Sequence, residues 1–272
     1  MSTCFAVASG KGGVGKSVIT AGLAAALAMD GTRVLVIDAD IGLRSQDALL
    51  SLEDRVVYDV IDLSRNECMP DQAVLACESV PSLHLLPAAQ FERVKALEPK
   101  KLAKLISGFR LSYEYILIDC PAGIEKGLRN VLNAGVDETI LAATPDDVCI
   151  RSAERTVQLI ETKKAPRPRL IVNRLDEQLI RNGEMYDALT VSQVLDLQLL
   201  GAIPEDPVIY RSQLKHDLYM HYDCEARNAI LRIAGRIRGR SLPVMQYGEK
   251  KNGFFRRMFS RPLKEVAPID DF

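Results

Sequence analysis

The sequence predicts a doubly wound α/β fold, in which helices cover both faces of a mostly parallel sheet. Short apolar runs rich in Val, Ile and Leu recur along the chain without clean alternation, as expected for strands buried on both faces. Helix-length segments separate these runs, which indicates parallel strands joined by helical crossovers. In such a sheet, ligands bind at the carboxyl ends of the strands.

The predicted strands are the short apolar runs of the chain. They are Cys4–Ala8, Arg33–Asp38, Leu83–Pro87, Tyr115–Asp119, Thr139–Ala143, Leu170–Asn173 and Leu199–Ile203. The segments between them have the length and composition of helices. The predicted helices are Ser17–Asp30, Pro99–Leu111, Val148–Thr162, Val191–Leu195 and a last one from Asp223 or Cys224 towards Arg240, before Pro243.

The composition is that of a soluble globular protein, with 272 residues, 47% hydrophobic and 26% charged. A net charge of -1 gives no general reason to expect nucleic acid as a partner. The six cysteines are scattered without Cys-x-x-Cys spacing, which argues against a metal or disulfide framework and fits a reducing cytosol. Neither a secretory signal nor a membrane-length apolar run is present, so we expect a cytoplasmic protein.

A glycine-rich loop, Gly-Lys-Gly-Gly-Val-Gly-Lys-Ser, connects the first predicted strand to the first helix. Its glycines let backbone N–H groups converge on phosphate oxygens, and the following helix adds its positive end. Lys16 would reach the β- and γ-phosphates, and the Ser17 hydroxyl would complete a Mg²⁺ shell. The loop predicts a P-loop NTPase fold that binds ATP and Mg²⁺. The predicted nucleotide-binding residues here are Gly10, Lys11, Gly12, Gly13, Val14, Gly15, Lys16, Ser17 and Val18.

Carboxylates end two other predicted strands and complete the nucleotide site. Asp119 follows the apolar run Ile116–Ile118, and Asp38 and Asp40 follow Val34–Ile37. With Ser17 as the metal ligand, we expect Asp38 and Asp119 to hold water molecules of the Mg²⁺ shell, and Asp40 to orient an attacking water. The alternative is that these are solvated acids at strand ends.

Lys11 is a second lysine in the loop, and its charge repels that of Lys16. A contact between Lys11 and a phosphate offsets this repulsion, and that phosphate can be one bound by a facing subunit. Across a symmetric interface it would neutralise transition-state charge as an arginine finger does. Nucleotide would then hold a two-fold homodimer together. The alternative is a solvated loop lysine.

The last part of the chain has the pattern of a short basic amphipathic helix. On a helix from Lys250 to Lys264, apolar side chains cover one arc and basic side chains the other. This pattern predicts binding to an anionic phospholipid membrane, and a core-packing terminal helix is the alternative. The predicted membrane residues are Phe254, Phe255, Arg256, Arg257, Met258, Phe259 and Arg261.

Composition divides the chain into four predicted regions. These are a P-loop ATPase domain (1–242), a linker (243–249), the amphipathic membrane-targeting helix (250–263) and a loose tail (264–272). Each basic residue near an anionic surface contributes about 1 kcal/mol, and each bulky apolar group about 1.5 kcal/mol, so one helix should bind weakly. Two copies on one dimer raise avidity by about 10²-fold. Dimerisation with ATP would thus become recruitment to the membrane.

The loop resembles the deviant phosphate loop of the ParA/MinD class of P-loop ATPases, in which Lys11 has the place of the signature lysine. Further segments of the class follow in order along nearly the whole chain. They are Asp38–Arg44, Val56–Asp59, Leu86–Ala88, Asp119–Glu125 and Ile203–Asp206.

The resemblance, which includes the C-terminal segment, is to the division-regulating branch of the class. It implies that Lys11 acts across an ATP-sandwich dimer, that Asp40 lies in the first switch region, and that Asp119–Gly123 form the second. It further implies a partner-stimulated ATPase that cycles on the inner face of the cytoplasmic membrane. Its implied protein partners are an inhibitor of the division ring and an activating or polar-anchoring protein. The segments that resemble the adenine contacts of the class are Asn173, Arg174, Pro204, Glu205 and Asp206.

Two departures and several alternatives accompany this resemblance. Val18 stands where the class usually has a second hydroxyl, and Ser152 stands where an Asp usually follows the Ile-Arg pair of the partner-binding stretch. The alternatives are a flagellar-number regulator, a DNA-partitioning ATPase of the ParA type, and a nucleotide-binding scaffold without turnover. A related iron–sulfur reductase would need paired cysteines, which Cys120 alone does not supply.

Overall fold

A computed structural model describes residues 2–90, 97–124 and 126–248 of the chain. Its strands form one eight-stranded sheet in the order β3-β4-β2-β5-β1-β6-β7-β8, parallel except for β3, which runs antiparallel to β4. The strands are β1 (Thr3–Ser9), β2 (Val34–Asp38), β3 (Leu75–Ala76), β4 (Leu83–Leu86), β5 (Tyr115–Asp119), β6 (Glu138–Ala143), β7 (Arg169–Leu175) and β8 (Leu199–Pro204).

Register brings the carboxyl ends of the central strands together at one edge of the sheet. β1 lies between β5 and β6, with Val7 opposite Asp119 and Ser9 opposite Ala142. On the other side of β5, Asp38 of β2 is opposite Asp119. The central strands are almost completely buried, as their continuous apolar sequences require. The strand-end carboxylates therefore lie next to the segment that follows β1.

Helices cover both faces of this sheet. Crossovers between parallel strands are right-handed. In the strand order above, α1 leads from β1 towards the β3 end of the sheet, whereas α6, α7 and α9 lead towards the β8 end. α1 therefore lies on the opposite face of the sheet from these three helices. In agreement, α11 packs against α1, whereas α7 packs against α9. The helices are α1 (Lys16–Ala28), α2 (Gln46–Leu49), α3 (Val60–Ser64), α4 (Pro70–Ala73), α5 (Pro99–Phe109), α6 (Lys126–Leu132), α7 (Asp147–Thr162), α8 (Glu177–Asn182), α9 (Ala188–Leu195), α10 (Pro207–Gln213) and α11 (Glu225–Ile237).

The predicted α/β class is confirmed, and the predicted strands appear within one or two residues of their expected bounds. The sequence reasoning missed β3 and the short helices α2, α3, α4, α6, α8 and α10. A two-residue strand and helices of four to seven residues are too short to show a hydrophobic period. One of them had a local signal, since Asp59 and Asp62 form a capping box at the start of α3.

The chain after α11 runs back along the domain without helix or strand as far as residue 248. Arg236 of α11 connects this stretch to β8. It donates hydrogen bonds to the carbonyl oxygens of Leu242 at 2.9 Å and Pro243 in the stretch, and to that of Leu200 in β8 at 2.7 Å. Val244 and Tyr247 pack against the core. The predicted membrane helix and tail, 250–272, lie outside the described residues and stay predictions. In the part that is described, no helix combines the length and the apolar character that a membrane span needs.

Candidate nucleotide site at the carboxyl edge of the sheet

The glycine-rich loop connects β1 to α1 and leaves its front open. Gly15 precedes the helix with φ 87°, and Gly13 has φ 83°, a backbone region that glycine enters without strain. Among the described residues, no side chain caps α1, so its first amides are free to bind an anion. A Cβ atom at Gly12 or Gly13 would meet no described atom within 4 Å. The loop therefore presents backbone N–H groups to an open surface, as a phosphate cradle requires.

The back of the loop is fixed by two close contacts. A Cβ atom at Gly10 would collide with the backbone of Ser152 and Ala153 in α7, so only glycine fits there. On the other side, the Asn173 side chain donates a 2.8 Å hydrogen bond to the carbonyl oxygen of Val14. A Cβ atom at Gly15 would overlap that amide. Loop shape is thus set by α7 and by the end of β7.

Lys16 is buried, with 5% of its surface exposed, and its ammonium is held by carboxylates. Its Nζ donates to Asp119 Oδ1 and lies 3.7 Å from Asp40 Oδ2. Burial disfavours the ammonium, but the charges of Asp119 and Asp40 outweigh this and raise the pKa of Lys16. Lys16 therefore stays charged at neutral pH in the position where a phosphate cradle needs a cation.

Asp38 organises the chain that follows β2. Its Oδ1 accepts the Asp40 amide at 3.0 Å, and its Oδ2 accepts the amides of Ser45 and Gln46, each at 3.1 Å. Burial and the nearby charge of Asp119 raise the pKa of Asp38 to about 7. The two amides fill the acceptor sites of Oδ2, whereas Oδ1 retains one for a metal-bound water, so the predicted metal role of Asp38 stays a prediction beside this turn-forming role.

The acidic residues of this edge fit a hydrated Mg²⁺ ion. Lys16 pairs with Asp119 and Asp40, and Asp38 lies opposite Asp119, so in this buried site the carboxyl groups outnumber the ammonium that faces them. Within the described residues, no cluster of His, Cys, Asp or Glu is arranged for direct ligation. Mg²⁺ usually keeps several of its waters and binds through few protein ligands, so this donor set suits it. The half-buried Ser17 hydroxyl lies beside Lys16 Nζ at 3.4 Å, in reach of the same space.

Lys11 lies at the exposed rim of the loop rather than inside it. Its Nζ is 3.5 Å from Asp146 Oδ1, and both side chains are about half exposed. Asp146 also caps α7 by accepting the Cys149 amide at 2.9 Å. An ion pair this exposed contributes little to stability. Lys11 can therefore exchange Asp146 for another anion without cost to the fold.

The predicted adenine-side residues are brought together at the ends of β7 and β8. Arg174 and Glu205 are exposed there, with Arg174 Nε 3.8 Å from Glu205 Oε2. Asn173 is buried and turned towards the loop, and Pro204 ends β8. Asp206 has a structural role that sequence reasoning missed: it accepts the amides of Val208 at 3.0 Å and Ala226 at 3.1 Å, at the starts of α10 and α11.

We expect Asp206→Ala to lower the free energy of unfolding by about 1–2 kcal/mol, because it removes an N-cap and a second helix-start hydrogen bond. Asp206→Asn keeps one carbonyl acceptor and should lose less. Urea unfolding followed by circular dichroism measures both, with the exposed Asp223→Ala as control. An Asp206→Ala variant as stable as the control would contradict this role.

The site has two further residues that the sequence analysis did not select. Thr20 donates to the carbonyl oxygen of Lys16 at 2.9 Å and lies 3.5 Å from Asp119 Oδ1. Gln46 donates to Asp119 Oδ2 at 2.7 Å. Neither belongs to a motif, and the Gln46 contact spans 73 residues of sequence, so local patterns gave no signal for it.

An open backbone cradle before a helix N-terminus, a buried lysine and strand-end carboxylates on a parallel sheet together define a P-loop NTPase. The comparisons with known proteins agree. Residues 1–238 match the model of the ParA family, described as NUBPL iron-transfer P-loop NTPase. The chain is 39% identical over 263 residues to the septum site-determining protein MinD of Helicobacter pylori, covering 94% of this chain and 97% of that protein.

Solved structures give the same result. The chain superposes on MinD in the MinC:MinD complex of Aquifex aeolicus with a TM-score of 0.83 and 34% identity, covering 91% of this chain and all of that one. For the Mg-ADP complex of MinD from Pyrococcus horikoshii, the TM-score is 0.77 at 28% identity, covering 87% and 96%. The chain belongs to the ParA family of nucleotide-hydrolysing P-loop proteins and, within it, to the MinD septum-site-determining cell-division regulators.

Proposed function

We propose that this protein is a membrane-cycling ATPase that controls septum placement. With ATP and Mg²⁺ it forms a homodimer, binds the inner face of the cytoplasmic membrane, and recruits an inhibitor of the division ring. The observation that carries the proposal is that the two loop lysines differ in burial and in their partners. Lys16 is buried and paired with carboxylates, whereas Lys11 is exposed at the rim, where a second copy can reach it.

Within one subunit, the loop amides and Lys16 would hold the phosphates, and Asp40 would orient the attacking water. Mg²⁺, bound through Ser17 and through waters held by Asp38 and Asp119, would supply charge neutralisation at the phosphates. Asp40 is suited to its role because only 12% of its side chain is exposed and Lys16 lies 3.7 Å away. Burial and the charge of Asp119 raise the pKa of Asp40, while Lys16 opposes them.

In the proposed dimer, each subunit would supply Lys11 as a further cation to the nucleotide bound by the other subunit. Lys11 of one subunit would leave Asp146 and contact the γ-phosphate bound by the other, which neutralises charge in the transition state. Because each subunit contributes Lys11 to the other, the interface is two-fold and depends on the triphosphate. Hydrolysis removes that shared charge, so the dimer separates.

Membrane binding would follow the dimer because the amphipathic segment 250–263 is weak in single copy. Pairing two segments makes the second insertion intramolecular. ATP then determines localisation, which is cytoplasmic for the monomer and peripheral on the membrane for the dimer.

Partner binding is supported by the MinC:MinD complex of Aquifex aeolicus, in which a MinD relative is joined to MinC. The surface stretch of α7 that the class uses for partners is exposed here at Arg151 and Glu154. Gly10 of the loop packs directly on the backbone of Ser152 in the same helix. We expect a second protein, an activating or polar-anchoring partner, to accelerate hydrolysis through this contact.

Vesicle sedimentation tests the proposal. With anionic phospholipid vesicles, the full chain should pellet at least about 10-fold more with ATP than with ADP, because only the dimer has paired anchors. A truncation that ends before Lys250 should stay in the supernatant with either nucleotide. Neutral phosphatidylcholine vesicles are the matched control.

Pelleting that ignores the nucleotide, or that survives the truncation, would contradict the recruitment cycle. Nucleotide binding by the truncated chain, measured in parallel, shows that the ATPase domain is intact in the variant.

A further inference from the structure

Gln46 is a fully buried polar side chain at the centre of the nucleotide site. It begins α2, and none of its surface is exposed. Its Nε2 donates hydrogen bonds to Asp119 Oδ2 at 2.7 Å and to the backbone carbonyl oxygen of Ser17 at 3.0 Å. This side chain thus connects the start of α2 to the start of α1 and to the end of β5.

These two bonds fix which way the amide points. Both partners, a carboxylate and a carbonyl, can only accept hydrogen bonds. Turning the amide over would place Oε1 against two acceptors, so the observed orientation is the one the network allows. Oε1 must then face away from both partners.

Gln46 Oε1 has no hydrogen-bond partner among the described residues, and it is buried. A buried acceptor without a donor is unfavourable, and native proteins rarely leave one unsatisfied. The group that satisfies it must donate a hydrogen bond, which excludes a phosphate oxygen. The neighbours of Gln46 are Ser17, Asp38 and Asp119, the residues that we propose for the Mg²⁺ site. A water polarised by Mg²⁺ is a strong donor and fits a site of this charge.

We propose that Gln46 is a positioning residue for Mg²⁺: its Oε1 accepts a hydrogen bond from a water of the metal's hydration shell. The inference rests on the proposed ATP·Mg²⁺ site and extends it to a residue outside the loop and the strand-end carboxylates. Nε2 holds the Asp119 carboxylate in place while Oε1 holds a water. The backbone amide of Gln46, bound to Asp38 Oδ2, ties the same residue to the other carboxylate.

The arrangement also connects the metal to α2. The Gln46 side chain and the Asp38 bonds to Ser45 and Gln46 anchor the first residues of α2 on the site. Arrival of Mg²⁺ would therefore stabilise the start of α2, and its loss would leave Oε1 buried without a donor.

Nucleotide binding at controlled Mg²⁺ separates this role from a purely structural one. We would measure the affinity of the full chain for a fluorescent ATP analogue in EDTA and in increasing Mg²⁺. Gln46→Leu and Gln46→Met keep the approximate size of the side chain and remove both its acceptor and its donor. Gln178→Leu, on the exposed surface of α8, is the matched control.

For both Gln46 variants, we expect the Mg²⁺ concentration at half-maximal effect to rise about 10-fold, the size expected for one hydrogen bond to a charged group. Their affinity in EDTA should fall by much less than in Mg²⁺, since there only the Nε2 bonds are lost and Oε1 has no metal-bound water to lose. An equal loss in EDTA and in Mg²⁺ would overturn the inference, because it would show that only the Nε2 bonds matter. Wild-type protein that binds ATP equally in both conditions would contradict the proposed function itself and this inference with it.

A second measurement needs no variant, since both substitutions also remove the Nε2 bonds and could affect folding. A crystal structure of the wild-type chain with Mg²⁺ and ADP should place a metal-bound water within about 3.2 Å of Gln46 Oε1. An Oε1 that faces no water there would overturn the proposal.

Discussion

Replacing Lys16 with alanine is expected to lower ATP affinity by at least about 100-fold, because charge-assisted hydrogen bonds to two phosphates are lost. It should also lower the free energy of unfolding by about 3 kcal/mol, because Asp119 is left buried without its cation. Asp119 has no exposed surface, and Lys16 is its partner in an ion pair. Isothermal titration with ATP and urea unfolding measure the two effects.

The two losses should be separable by temperature and by variant. Titrations at low temperature, where the variant stays folded, isolate the effect on binding. Lys100→Ala removes an exposed lysine from α5 and serves as the control for charge alone. A Lys16→Ala variant that binds ATP as wild type does would contradict the assignment of the loop.

Replacing Lys11 with alanine is expected to abolish ATP-dependent dimerisation and to lower stimulated hydrolysis by about 10³-fold, as loss of a finger residue does in related reactions. Stability should change by less than about 0.5 kcal/mol, because the Lys11–Asp146 pair is half exposed. ATP binding to the monomer should be largely retained. Steady-state phosphate release and equilibrium nucleotide binding distinguish these effects.

Mixing two inactive variants tests whether Lys11 acts in the other subunit. In a dimer of one Lys11→Ala and one Asp40→Ala subunit, one nucleotide site has Asp40 in place and receives Lys11 from its neighbour. We expect the mixture to recover part of the hydrolysis that neither variant has alone. Absence of recovery, with mixed dimers present, would place Lys11 in its own subunit's site.

The sequence was sufficient for features with strong local signals. The loop from Gly10 to Ser17 is one contiguous motif. The buried strands are continuous apolar runs, so the sequence itself locates them. Parallel topology then predicts that Asp38 and Asp119 meet, and in the sheet they are opposite each other in register.

Other parts of the site depend on contacts between distant segments, which local patterns do not encode. Asn173 reaches Val14 across 159 residues of sequence, and Gln46 reaches Asp119 across 73. The second role of Asp206, at the start of α11, likewise arises only when β8 and α11 pack together. Each is a polar side chain whose partner is chosen by the tertiary fold, so its role appears only with the assembled sheet.

The amphipathic segment illustrates a third case. Its function is proposed from the arrangement of phenylalanines and arginines in the sequence, and its structure lies outside the described residues. Isolated helices of this length are marginal in water, so we expect its helicity to depend on the lipid surface. We therefore expect the ATPase domain to control membrane binding through the number of amphipathic segments that one assembly carries.

Sedimentation velocity of the full chain with a non-hydrolysable ATP analogue and Mg²⁺ tests most directly whether a shared triphosphate pairs two subunits. Pairing by a shared triphosphate predicts a species of twice the chain's mass with the analogue, and the single chain with ADP or with Lys11→Ala. A wild-type chain that remains single at saturating analogue, in solution and on anionic bilayers, would contradict it.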